Sequence, residues 1–281
     1  VEINLASRLM QGAITAYQEA TTLYMVPVTL IGVAISTAAF PKMTERIAHG
    51  ETQLFKKELQ TILRVIIWLA LPAVVVTFLT RGYLVSFLEP KGDQTMADIL
   101  GVLAVGILFR SIYQIASRSF YAQQDTRTPL YISFFTIGLN IALAVWFVAT
   151  LGFGVFGLAA AQAAVALVEV MILFSIMSTR IRGIFDLDFL HGVVKMITAA
   201  GLMFIVTYVT VSIFSLRVTD TSLFISVPRF GLVAAAGLTS YLLFSWMLGL
   251  KEATPILKLL RKVMLGNLGA PEEGYGPTKD S

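Results

Sequence analysis

The chain contains no cysteine among its 281 residues. That excludes a disulfide framework, a thiolate nucleophile and any cysteine-ligated metal. Histidine is nearly as scarce: His49 and His191 lie far apart in predicted loops, so neither zinc nor His-dependent catalysis can be assembled, and no metal site is expected. Charge is also short. Only 14% of residues are Asp, Glu, Lys or Arg, against 57% hydrophobic, where a soluble domain carries about 25% charged residues. So little charge is tolerable only when much of the surface faces lipid. The excess of +4 does not indicate a nucleic-acid partner. The basic residues sit in short clusters between apolar runs, as expected beside an anionic inner leaflet and its membrane lipids.

What is present is a series of long apolar runs. A helix needs roughly 20 mostly apolar residues to cross a hydrocarbon core of about 30 Å. Seven segments meet that requirement, near 12–40, 59–79, 95–121, 130–151, 154–178, 193–214 and 230–250. They are too long for barrel strands and lack their alternation, so the fold class is all-α, a polytopic transmembrane helical bundle of about seven spans. Pro27 is expected to kink the first span and Pro72 to break the second. The opening residues 1–11 carry Glu2, Asn4 and Arg8 and are too short to cross. They are read as the end of a helix that begins earlier, in a fragment of a longer protein.

Orientation comes from the loops. One side holds Lys42, Arg46, Lys56, Lys57, Arg118, Arg127, Arg180, Arg182, Lys251, Lys258, Arg261, Lys262 and Lys279. The other holds only Arg81, Lys91, Arg217 and Arg229. The positive-inside rule puts the first group, and the C-terminus with it, in the cytoplasm. In the tail, Ile256, Leu259, Leu260 and Val263 share one helical face, with Lys258, Arg261 and Lys262 opposite. That is the pattern of an interfacial helix. Beyond Gly266 the composition is that of a disordered end.

Two stretches carry a resemblance. ATTLYMVPVTLIGVAISTAAFP, from Ala20 to Pro41, and SRSFYAQQDTRTP, from Ser117 to Pro129, resemble the MurJ (MviN) lipid II flippases of the MOP superfamily. The second is similar to the family's Arg-x-Phe-Tyr-Ala…Asp-Thr-x-Thr-Pro turn between its tenth and eleventh helices. Asn140, Gly152 and the run Gly157-Leu158-Ala159 fit the family's pattern beyond that turn, so the likeness covers roughly 20–160.

The resemblance implies a bacterial cytoplasmic-membrane protein of fourteen helices in two lobes plus a final pair. By alternating access, such a protein moves the undecaprenyl-linked peptidoglycan precursor for cell-wall biogenesis and cell shape. Residues 1–180 would be the C-terminal lobe (the end of helix seven and helices eight to twelve), 181–250 the last two helices, and 251–281 the cytoplasmic amphipathic helix and tail. The N-terminal lobe would be missing. Even-numbered helix eight runs inward in that family, in agreement with the orientation taken from charge alone. One departure stands out: where the family often has an Asp-Arg pair after the residue matching Ala20, this chain has Thr21 and Thr22. A cation suited to a pyrophosphate is thereby lost.

Ionisable groups inside a span are expensive, about 2.5–3.5 kcal/mol on insertion scales, and each is a candidate site. Arg110 and Glu169 both lie about 15 residues into co-directional spans, roughly 22 Å from the outer end at 1.5 Å per residue. Equal depth and opposite charge predict an internal ion pair, while separate exposure to a wet cleft is the other reading. Glu19, two turns into the first span, suits a proton or cation site or a solvated cavity mouth. Asn140 and Gln162 suit interhelical hydrogen bonds. With Arg8 these complete the substrate- or ion-pathway candidates. Arg64 is expected to snorkel, and Asp125 to Pro129 to form a turn and helix start.

No cofactor is implied, beyond coupling to sodium ion, proton or membrane potential. The longest outward loop, about 80–94, offers only Arg81, Glu89, Lys91 and Asp93. No acid/base or nucleophile constellation can be built there, so an embedded glycosyltransferase or phosphatase is disfavoured and the chain is read as a transporter, not an enzyme. A polysaccharide-lipid flippase, a multidrug exporter of the same superfamily and a non-transporting membrane scaffold remain as alternatives.

Overall fold

The computed structural model describes residues 12–88, 93–214 and 223–254. Arg8 and the interfacial pattern around Ile256 lie outside these residues. Seven helices long and apolar enough to cross a membrane are found among them. They are α1 (Ala13–Ala48), α2 (Thr52–Leu88), α3 (Gln94–Ala122), α4 (Arg127–Thr150), α5 (Gly154–Arg180), α6 (Leu187–Phe214) and α7 (Leu223–Met247).

Proline acts differently in the two places where a disruption is expected. After Pro27 the helix widens into a π segment, Val28–Val33, the local adjustment that absorbs a lost backbone donor. At Pro72 the expectation of a break is overturned, for α2 runs unbroken from Thr52 to Leu88 with Pro72 buried inside it. In lipid no water can take over freed backbone groups, so a helix with packed neighbours loses one bond and continues. The second span is also much longer than its apolar run, and most of the expected loop at 80–94 is therefore helix. Likewise α1 continues past Pro41 to Ala48. There Lys42 Nζ meets Glu58 of α2 at 2.9 Å, while Met43 and Phe55 of the same extensions are buried in the apolar core.

The centre of the bundle is α3. In its most apolar window 61% of residues are buried, against 17% in α4 and 22% in α6, so α3 packs on protein while α4 and α6 turn large faces outward. Small residues make this possible by letting helix backbones approach. Gly106 on α3 sits against the Tyr24 ring of α1, and Gly32 sits against the Ser111 backbone. The last two helices lean on α2: Trp68 Nε1 donates to Ser245 Oγ at 3.2 Å, and the Tyr241 hydroxyl donates to the Trp68 carbonyl at 2.8 Å. Arg64 does not simply snorkel. Its Nε donates to Glu252 Oε1 and its Nη1 to the Asp188 carbonyl, because the folded chain brings α6 and the segment after α7 alongside the start of α2.

The α3–α4 turn is built by one carboxylate. Asp125 Oδ1 accepts from the Arg127 and Thr128 amides at 3.1 and 3.0 Å. Its Oδ2 accepts from Thr128 Oγ1 and from Arg180 Nη2, both at 2.6 Å. Gln124 takes the left-handed φ of 59° that the reversal requires. Desolvation pushes the Asp125 carboxyl up, but the Thr128 side-chain and backbone hydrogen bonds, with Arg180, outweigh it and hold the group at about 2. A depressed folded-state value stabilises above the unfolded value and is lost as pH falls through the folded one. Asp125→Asn is therefore expected to lower the thermal midpoint at pH 7. Its deficit relative to wild type should shrink between about pH 4 and pH 2. A deficit independent of pH across that window would show that charge is irrelevant to the turn.

Candidate functional site

Within the spans, α1, α3, α4 and α5 line an open-sided cavity of about 530 Å³. Four of the six candidates from sequence line it: Arg110, Asn140, Gln162 and Glu169. Glu19 does not. It lies two positions from Tyr17, about 200° around the helix, and is half-buried on another face of α1.

Arg110 and Glu169 are in contact, Nη1 to Oε2 at 3.0 Å. The second carboxylate oxygen accepts from Thr136 Oγ1 at 3.3 Å and Ser133 Oγ at 3.5 Å, so both oxygens are satisfied by α3 and α4. The two partners are not equivalent. The Glu169 side chain is 4% exposed and that of Arg110 38%. Glu169 is thus the fixed base of the pair, while Arg110 presents the rest of its guanidinium to the cavity, lying over the Tyr113 ring at 4.9 Å. A cation so placed can meet an anion without leaving Glu169 uncompensated, because guanidinium has five donors and the pair uses few of them.

Further along the same face of α5, seven residues from Glu169, Gln162 Oε1 accepts from the Tyr17 hydroxyl of α1 at 2.9 Å. The site is therefore a polar column joining α1 to α5 at one level and α3, α4 and α5 at the next. Sequence reasoning missed Tyr17, Tyr24, Tyr113, Ser133 and Thr136. A signal was available for some of them: Ser133, Thr136 and Asn140 fall at helical spacing, a hydroxyl and amide stripe on an otherwise apolar α4. Thr21 and Thr22, in place of a charged pair, bond back to their own helix at the Tyr17 and Gln18 carbonyls.

Seven helices long and apolar enough to cross a membrane, four of them lining a cleft that holds an ion pair, define a multi-pass helical membrane protein. Residues 1–251 match the family model described as "Lipid II flippase MurJ", and the chain belongs to that family. Among curated relatives, "Probable lipid II flippase MurJ" of Thermotoga maritima is 28% identical over 158 residues, covering 54% of this chain and 32% of the relative. The same-named protein of Rhizobium meliloti is 23% identical and covers 75% and 40%. "Lipid II flippase MurJ" of Burkholderia cenocepacia is 29% identical and covers 47% and 27%. The fold matches a solved structure, "Lipid II flippase MurJ, inward closed conformation", at a TM-score of 0.71 and 22% identity, over 95% of this chain and 50% of that one. The chain spans about a third of the length of these curated relatives, and half that of the solved structure.

Proposed function

We propose that this chain is the second lobe and final helix pair of a flippase that moves lipid II, the undecaprenyl-linked peptidoglycan precursor, across the bacterial cytoplasmic membrane by alternating access. The observation that carries the reading is the family match over residues 1–251, joined to a chain half the length of the solved flippase. The lobe comprises residues 1–180. The pair is 181–250, whose helices α6 and α7 pack on each other and against α2 of the lobe, and the tail is 251–281. Arg110, Asn140, Gln162 and Glu169 line the lobe's share of the substrate or ion path. The hydroxyls of Thr21 and Thr22 are engaged in their own helix, so the cation available to an anion in this cavity is Arg110 of α3.

Alternating access works between two bundles. In a bacterium depleted of its own flippase, this chain alone should leave lipid II inside and growth unsupported. Co-expression with the preceding lobe of a relative should restore both. Rescue by the chain alone overturns the two-lobe reading, and no rescue by the pair, with both present in the membrane, overturns the substrate.

The charge asymmetry of the loops supports a cytoplasmic C-terminus. With an impermeant thiol reagent on intact cells, Ser222→Cys should be labelled and Ser281→Cys protected. The opposite pattern inverts the topology.

A further inference from the structure

At the end of the bundle where α2 and α6 begin and α7 finishes, a second cavity of about 580 Å³ opens between the three. Six charged side chains line it: the cations Lys57, Arg64 and Lys251 and the carboxylates Asp186, Asp188 and Glu252. Part of this set is structural. Arg64 holds Glu252 Oε1 and the Asp188 carbonyl. Asp186 accepts from the Phe189 amide at 2.8 Å and from Gln60 at 3.1 Å. Those two bonds, the amide first, keep its carboxyl below the usual range, so it is a fixed negative charge.

What is left over points to a ligand. The Glu252 side chain is only 8% exposed, yet its Oε2 has no hydrogen-bond partner among the described residues. A buried carboxylate oxygen without a donor is a costly exception in a folded protein. Asp188 contributes its carbonyl to Arg64 and leaves its carboxylate on the exposed side of the cavity. Lys57 and Lys251 bring positive charge to the same space. With three charges of each sign the lining has little net pull on a plain anion or a plain cation. It complements a molecule that carries both, separated by a few bonds. The position, at the ends of three spans, is the level of lipid headgroups, where pockets between helices take them.

We propose that this cavity binds the headgroup of a zwitterionic aminophospholipid. The primary ammonium donates to Glu252 and Asp188, and the phosphate is held by Lys57 and Lys251. The lipid would clasp α6 and the end of α7 to α2, beside the Arg64–Glu252 contact. The assignment does not depend on the transport reading, for it rests only on the lining of this cavity.

The test uses the chain, stripped of lipid in detergent, with phosphatidylethanolamine, phosphatidylcholine and phosphatidylglycerol of matched acyl chains, and native mass spectrometry as the readout. Phosphatidylethanolamine should be retained roughly tenfold over each of the others, the worth of one charge-assisted hydrogen bond. The quaternary ammonium of phosphatidylcholine has no hydrogen to donate, and phosphatidylglycerol has no cation. Asp188→Asn should erase the preference, whereas Lys251→Gln should lower retention of all three lipids, each at unchanged melting temperature, since both positions are exposed and spare the Arg64–Glu252 contact. Equal retention of the three lipids, a preference for phosphatidylglycerol, or variants that bind as wild type overturn the proposal. Glycerophosphoethanolamine supplies the same charges without acyl chains. If it displaces the lipid at equal concentration, the site takes a soluble headgroup and the lipid assignment falls.

Discussion

Removing Arg110 and Glu169 together is expected to destabilise the protein less than the two single replacements summed. Glu169 is buried at 4% exposure, whereas Arg110 keeps 38% of its side chain in the cavity, so the two single replacements differ. Arg110→Met strands a carboxylate in a low-dielectric site with only the Thr136 and Ser133 hydroxyls to hold it, a loss of about 3–5 kcal/mol for a truly buried charge. Glu169→Gln keeps those hydroxyl bonds and leaves a guanidinium that can turn toward the cavity. Its loss should be nearer the 1.5–3 kcal/mol of one hydrogen bond to a charged group, about half as much. The double variant strands neither charge, and the coupling should reach about 1–3 kcal/mol. Thermal unfolding in detergent measures the cycle, with flipping assayed in parallel for each variant co-expressed with the preceding lobe. Coupling near zero would dissolve the pair. Coupling in stability with transport unchanged makes it a bridge between α3 and α5. Coupling in transport as well makes Arg110 part of the path.

Gly32→Ala should be the most damaging single methyl in the first span. A Cβ at Gly32 would lie 2.7 Å from Ser111 Cα and 3.1 Å from the Ser111 carbonyl oxygen. Both are backbone of the central helix α3, which is hemmed in by α2 and α5 and has no free direction to move. Overpacking of this kind costs about 1–3 kcal/mol, and it falls on the π segment that already carries the adjustment after Pro27. Gly201→Ala on α6 supplies the opposite sign. Nothing lies within 4 Å of its Cβ, and alanine is about 1 kcal/mol better than glycine in a helix. The melting temperature should fall for the first and hold or rise for the second. Equal effects would show that the α1–α3 crossing is looser than its geometry.

The same contrast, open space against a fitted crossing, separates what could be read from the residues and what could not. Length and apolarity yielded the seven spans because a bilayer sets the unit of measure. A run of about 20 apolar residues has few other stable fates. The meeting of Arg110 and Glu169 was legible for a related reason: in helices of common direction, rise per residue converts position into depth. Azimuth is a different matter. Nothing local distinguishes Glu19, facing away from the cavity, from Gln162, facing into it. The partner that decides, Tyr17, lies 145 residues from Gln162.

Helix ends were misjudged where polar residues continued a helix past its apolar run, as at the start of α2 from Thr52 and at the end of α1 to Ala48. Hydropathy measures the solvent rather than the backbone, and Pro72 shows that the backbone tolerates in a packed bundle what it would not in water.

By itself, then, the sequence determined that this protein crosses the membrane, how many apolar helices do so, the matched level of Arg110 and Glu169 and the family motif that closes the α3–α4 turn through Asp125. Each arises from the chemistry of a residue and its neighbours along the chain. Only the tertiary structure decided that α3 is the hub, that Ser133 and Thr136 complete the Glu169 site, and that Arg64 is held by Glu252, 188 residues away. Those outcomes depend on which faces of separate helices pack together. Packing is settled by the small residues at their crossings, Gly32 and Gly106 among them, whose effect appears only when the opposing helix is in place.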